Sequence, residues 1–150
     1  MQMSNSAVPG SGSLPTLLFV CVHNAGRSQM AAAFAERLAK GRVAASSAGS
    51  DPADSVHPEV LAVMAEIGID LAGRRPQSIG EAAPDGADVV VTMGCGDSCP
   101  AVRSARRVEW DLPDPAGRPI DEVRLVRDRI QDLVSGLLYE MGVLDLAEPL

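Results

Sequence analysis

The chain has 150 residues, a formal net charge of −7 and three cysteines, with 46% hydrophobic, 22% charged and 3% aromatic residues. That length suits one domain with a full core, and the charged fraction is ordinary for a globule, so disorder as the main state is excluded. The acidic balance excludes a general binder of nucleic acid or anionic lipid, because both need a broad basic field; an anion bound here must be held by local geometry. Apolar runs such as Leu17 to Val22 are far too short to cross a membrane, and no basic stretch precedes an apolar one at Met1, so a cytoplasmic location is expected. Three cysteines cannot form a fully paired framework and intracellular thiols are mostly kept reduced, which leaves chemistry or a metal as readings for them.

Residues 1–14 are rich in Ser, Gly and Pro and read as a flexible extension, followed by a domain over 15–142 and a short tail over 143–150. The continuous apolar run Leu17 to Val22 suits a strand buried on both faces of a parallel sheet. From Ser28 to Lys40, Met30, Ala33, Phe34 and Leu38 recur at helical spacing with Glu36, Arg37 and Lys40 opposite, which predicts an amphipathic helix. Val43 to Gly49 reads as a second strand, Pro58 to Ile67 as a helix closed by Gly68, and Ala87 to Thr92 as another buried strand. Arg107 to Trp110 adds a short strand. Ile120 to Met141, with Val123, Val126, Ile130, Val134 and Leu137 in helical register, predicts the longest helix. Strands alternating with helices define an α/β fold with a mostly parallel sheet covered on both faces, where ligands sit outside the C-terminal strand ends.

The loop at the end of the first strand reads Cys21-Val22-His23-Asn24-Ala25-Gly26-Arg27-Ser28. A turn of this length can curl its backbone N–H groups inward, and the helix that follows adds free N–H groups and a positive dipole end, making a cradle for a tetrahedral oxyanion. Gly26 permits a tight turn and Asn24 tolerates a left-handed conformation. Arg27 can clamp two anion oxygens with its forked guanidinium. Cys21 lies at the base of the same positive pocket, where a thiolate is favoured, and Ser28 can donate a hydroxyl hydrogen bond to it. His23 contributes its backbone more than its ring. Taken singly, Cys21 could equally be an inert buried strand-end residue.

Cys95 and Cys99 follow the Ala87–Thr92 strand, again at the functional end of the sheet. Four residues along a helical turn advance about 6 Å, within the range a disulfide accepts, so the two can pair if the segment is helical or collapses on oxidation. Two unrelated free thiols, or a zinc site completed by His23 or His57, are the competing readings. Asp114, in Asp111-Leu112-Pro113-Asp114-Pro115, can protonate a leaving oxygen if it is held near the oxyanion, although Asp before Pro is also a common turn pair. Trp110 reads as packing, and Arg103, Arg106 and Arg107 as a solvated basic face.

The strings CVHNAGRSQMA, SSAG, VVTMGCGDSCP and WDLPDPAG, from about Leu17 to about Leu138, resemble the arsenate reductases of the low-molecular-weight protein tyrosine phosphatase superfamily. The resemblance implies a four-stranded parallel sheet flanked by helices, with arsenate held by Val22, His23, Asn24, Ala25, Gly26, Arg27 and Ser28. It implies that Cys21 attacks arsenic, Cys95 then attacks Cys21, Cys99 moves the disulfide to Cys95–Cys99, and Asp114 serves as general acid. An external thiol completes the cycle, thioredoxin or a mycothiol/mycoredoxin system, with no cofactor of the protein's own and with phosphate or sulfate as competing oxyanions. The position that carries a potassium-binding Glu in some members is Ala32 here, so no metal is expected. Other readings of the same loop are a phosphatase of phosphotyrosine or small phosphomonoesters and a non-enzymatic oxyanion sensor.

Overall fold

A computed structural model describes residues 14–94 and 102–144. Cys95 and Cys99, and most of the expected N-terminal extension, lie outside the described residues. The strands are β1 (Thr16–Cys21), β2 (Ala44–Gly49), β3 (Ala87–Thr92) and β4 (Ser104–Glu109). The helices are α1 (Arg27–Ala39), α2 (Pro58–Ala65), α3 (Ile79–Ala82) and α4 (Ile120–Glu140). The four strands form one sheet in the order β2-β1-β3-β4, and every pair is parallel.

The period of two in a strand, with both faces covered, explains why β1 is apolar at every position from Leu17 to Cys21. Leu17, Phe19 and Cys21 face the larger core with residues of α1, α2 and α4, while Leu18 and Val20 face a smaller cluster with Ala48 and Val90. Ile79, Ala82 and Ala83, in and just after α3, close that second face. Both faces are therefore covered, as expected, but unequally: the three long helices share one side.

Helix α1 departs from the amphipathic expectation. Every residue from Arg27 to Ala35 is buried, because the helix is wedged between the sheet and α4, and its run of alanines lets both neighbours approach closely. Solvent reaches it only near Glu36 and Arg37. Helix α2 ends at Ala65, two residues short of the expected Ile67, and Gly68 at φ +83° completes the stop. Strand β4 begins earlier than its expected start at Arg107 and is largely exposed, as an edge strand beside β3. Helix α3 was not expected, although Ser78 and Glu81 form a capping box around its first turn. At the C-terminal end Leu144 is buried in the main core, so packed chain extends past residue 142.

This topology sets the position of the loop after β1. The chain leaves β1 to build β2 on one side and later returns to add β3 on the other, so the C-terminal end of β1 is the switch point where an α/β sheet opens a crevice.

Candidate active site

The Cys21–Arg27 loop is fixed by its carbonyls. Cys21 O accepts from Ser50 N (3.2 Å), Val22 O from Asp51 N (2.8 Å), His23 O from Ala53 N (3.0 Å) and Ala25 O from His57 N (3.0 Å). Asn24 O accepts from Gln29 Nε2 at 3.1 Å. In a trans peptide the N–H points opposite to the C=O, so carbonyls tied to the β2–α2 connection leave the following amides on the other side of the loop, the side open to an anion. Close approach of that connection requires Gly49: a Cβ there would come within 2.6 Å of Val22 O and 2.9 Å of Asn24 N. Gly26 is the residue before α1 and no side-chain cap satisfies the helix start, which leaves its positive end available.

Asn24 is fully buried with φ 51°, the left-handed geometry that its short amide can tolerate. Its Oδ1 accepts from Gln29 Nε2 (3.1 Å) and Gln77 N (2.9 Å), and its Nδ2 donates to Ser28 Oγ at 2.7 Å. With Nδ2 donating to it, Ser28 Oγ is free to direct its own hydrogen to Cys21 Sγ, 2.9 Å away. A buried thiol thus faces a hydroxyl donor oriented by an amide, and the first turn of α1 begins beside it.

Arg27 is 5% exposed. Its Nη1 donates to Leu112 O at 3.1 Å and its Nη2 stands 3.9 Å from Asp114 Oδ2. Asp114 is about half exposed at the mouth of the loop. Its Oδ1 accepts from Ala116 N (3.0 Å), so the residue makes the local turn and also faces the guanidinium. Pro115 leans on Gly26, where a Cβ would come within 3.1 Å of Pro115 Cγ. The structure therefore brings together Cys21, Asn24, Arg27, Ser28 and Asp114, with the His23 and Ala25 carbonyls tied to the β2–α2 connection. Asp111 instead lines a cleft of about 340 Å³ with Thr92, Gly94, Glu109 and Trp110. Trp110 packs on Phe19 with ring centroids 5.9 Å apart, and Arg106 pairs with Glu140 on the exposed face.

Gln29, Gln77, Gly49 and the Leu112 carbonyl escaped the sequence reading. Three of them act through contacts distant in sequence, which no local spacing announces. Gln29 alone carried a signal, as a polar residue on the first turn of a helix otherwise filled with alanine. Among the described residues there is no cluster of His, Cys, Asp or Glu able to hold a metal ion, and no helix long and apolar enough to cross a membrane.

The parallel sheet thus ends its first strand in a Cys-x5-Arg loop, with an Asp facing the Arg. Residues 16–145 match the model of the low molecular weight phosphotyrosine protein phosphatase family, and the chain belongs to that family. A Halobacterium salinarum protein provisionally named an arsenate reductase is 42% identical over 129 residues, covering 83% of this chain and 91% of its own. The glutaredoxin arsenate reductase of Synechocystis sp. is 36% identical over 129 residues, covering 84% of this chain and 98% of its own. Among solved structures, the thioredoxin-dependent arsenate reductase of Corynebacterium glutamicum matches with a TM-score of 0.75 and 34% identity, covering 89% of this chain and 64% of that one.

Proposed function

We propose that the protein reduces arsenate to arsenite, with Cys21 as the nucleophile. The observation that carries this reading is the buried Cys21 Sγ, 2.9 Å from Ser28 Oγ, in a loop that also presents Arg27 and Asp114. Arsenate would sit on the loop amides with Arg27 across two of its oxygens. The Cys21 thiolate attacks arsenic, an oxygen takes protons with Asp114 as donor, and water leaves as the S–As bond forms. The Cys95 thiolate then attacks the sulfur of Cys21. The S–As electron pair passes to arsenic, which departs as arsenite, and a Cys21–Cys95 disulfide remains. Cys99 attacks Cys95, releases Cys21 as thiolate and leaves Cys95–Cys99 oxidised. An external dithiol supplies the two electrons that reset the pair.

Thioredoxin is the proposed reductant. The Corynebacterium relative is named for thioredoxin dependence and the Synechocystis relative for glutaredoxin, so the donor is the point at which relatives differ. The chain's aromatic residues weigh against an aryl phosphate substrate. Of two Phe, one Trp and one Tyr, both Phe are in the core, Trp110 packs on Phe19, and Tyr139 lies near the end of α4. Of these rings only Trp110 lines the cleft that also holds Gly94, so an aryl group there would meet a single aromatic wall. The test is multiple-turnover arsenate reduction with thioredoxin and thioredoxin reductase. Wild type should turn over and Cys95→Ser should stop after the first adduct; full turnover by Cys95→Ser would remove the relay. Fast aryl phosphate hydrolysis with negligible arsenate turnover would remove the reductase assignment itself.

A further inference from the structure

The guanidinium of Arg27 is crowded by backbone at its Nη1. Leu112 O accepts from Nη1 at 3.1 Å, and Gly94 lies beside the same nitrogen. A Cβ built on Gly94 would overlap Arg27 Nη1, would stand 3.4 Å from Arg27 Cζ and would come within 3.1 Å of Leu112 O. Gly94 also has φ +89°, a backbone geometry that favours glycine. It lies just past the end of β3 and immediately precedes Cys95 in the chain.

We infer that Gly94 is a positioning residue for Arg27: its missing side chain leaves the space in which Nη1 donates to Leu112 O while the remaining donors of the guanidinium are aimed at an oxyanion in the loop. The guanidinium is a rigid planar fork, so moving one nitrogen rotates all the others. Arg27 is buried, which leaves it little room to reorient around an added methyl group. The residue that sets the aim of the arginine thus lies just past β3 and one position before Cys95 in the sequence. The inference rests on Arg27 being the oxyanion clamp, as proposed above.

Binding of inorganic phosphate to the reduced full-length protein, followed by calorimetry, separates the two ideas. Arg27→Ala should abolish measurable binding, and Gly94→Ala should weaken it roughly tenfold or more through loss of the aligned charge-assisted pair. Gly41→Ala is the control, because Gly41 has φ +86° with nothing within 4 Å of a built Cβ; it incurs similar backbone strain yet should keep phosphate affinity near wild type. If Gly94→Ala binds phosphate like wild type while Arg27→Ala does not, the positioning inference fails alone. If Arg27→Ala binds normally, the clamp reading fails instead. Should Gly94→Ala fold poorly, the double variant with Arg27→Lys, which removes the forked nitrogen that collides, should regain thermal stability; no recovery would mean that backbone strain alone accounts for Gly94.

Discussion

Asn24 and Ser28 carry the chemistry of the loop at the scale of single residues, because Asn24 decides which way the Ser28 hydrogen points. Replacing Ser28 with Ala removes the donor 2.9 Å from Cys21 Sγ and leaves the backbone cradle in place. A hydrogen bond to a charged group contributes about 1.5–3 kcal/mol, so the first-order rate of adduct formation should fall on the order of 10- to 100-fold. Rapid-quench mass spectrometry of the Cys21–arsenic adduct in a Cys95→Ser background, where the proposed cycle stops at the adduct, reads this rate, and an unchanged rate would contradict the role proposed for Ser28. Asn24→Ala acts differently. It strands Gln77 N, removes one of the acceptors of Gln29 Nε2 and puts a non-polar residue at φ 51°, so unfolding stability should drop by on the order of 3 kcal/mol. A urea titration showing a loss below about 1 kcal/mol would mean that these buried partners find other acceptors.

At the scale of elements, the helices were legible in the sequence where a face is buried against one layer, and misread where two layers press on them. The α4 pattern is a single apolar stripe and its bounds agree with expectation to within a residue. Helix α1 looks amphipathic from Glu36, Arg37 and Lys40, yet its first turns are enclosed on all sides because α4 covers what the sheet does not. The loop after β1 could be located from the end of an apolar run and a Cys-x5-Arg spacing. Its outward carbonyl partners at Ser50, Asp51, Ala53 and His57 could not, since they are set by how the β2–α2 connection folds back over it. Helices α2 and α4 are tied by Glu66, which accepts from Arg124 at 2.7 Å and from Arg127 at 2.8 Å. The Arg124 hydrogen bond first, and then that from Arg127, holds the Glu66 carboxyl below its ordinary range. A depressed folded value means that the stabilisation is present above the ordinary carboxylate value and is lost as pH falls through the depressed one. The melting-temperature difference between wild type and Glu66→Gln should therefore shrink between about pH 7 and about pH 3, and a difference that stays constant would show that charge at Glu66 plays no part.

Across the whole molecule, the proposed reaction asks a protein of net charge −7 to hold a doubly charged oxyanion. In that proposal the attraction comes from one place, where loop amides, the start of α1 and buried Arg27 converge at the switch point of the sheet. The odd number of cysteines gains a meaning in the same proposal: one thiol would attack at the base of that pocket, and the other two would finish as the disulfide. The most direct measurement of this account is disulfide mapping by mass spectrometry after a single arsenate turnover by the reduced protein without added reductant. The account predicts one equivalent of arsenite, a free Cys21 and a Cys95–Cys99 bond, with neither product formed by Cys21→Ser. Arsenite released by Cys21→Ser, or release by wild type with Cys99 left unbridged, would contradict it.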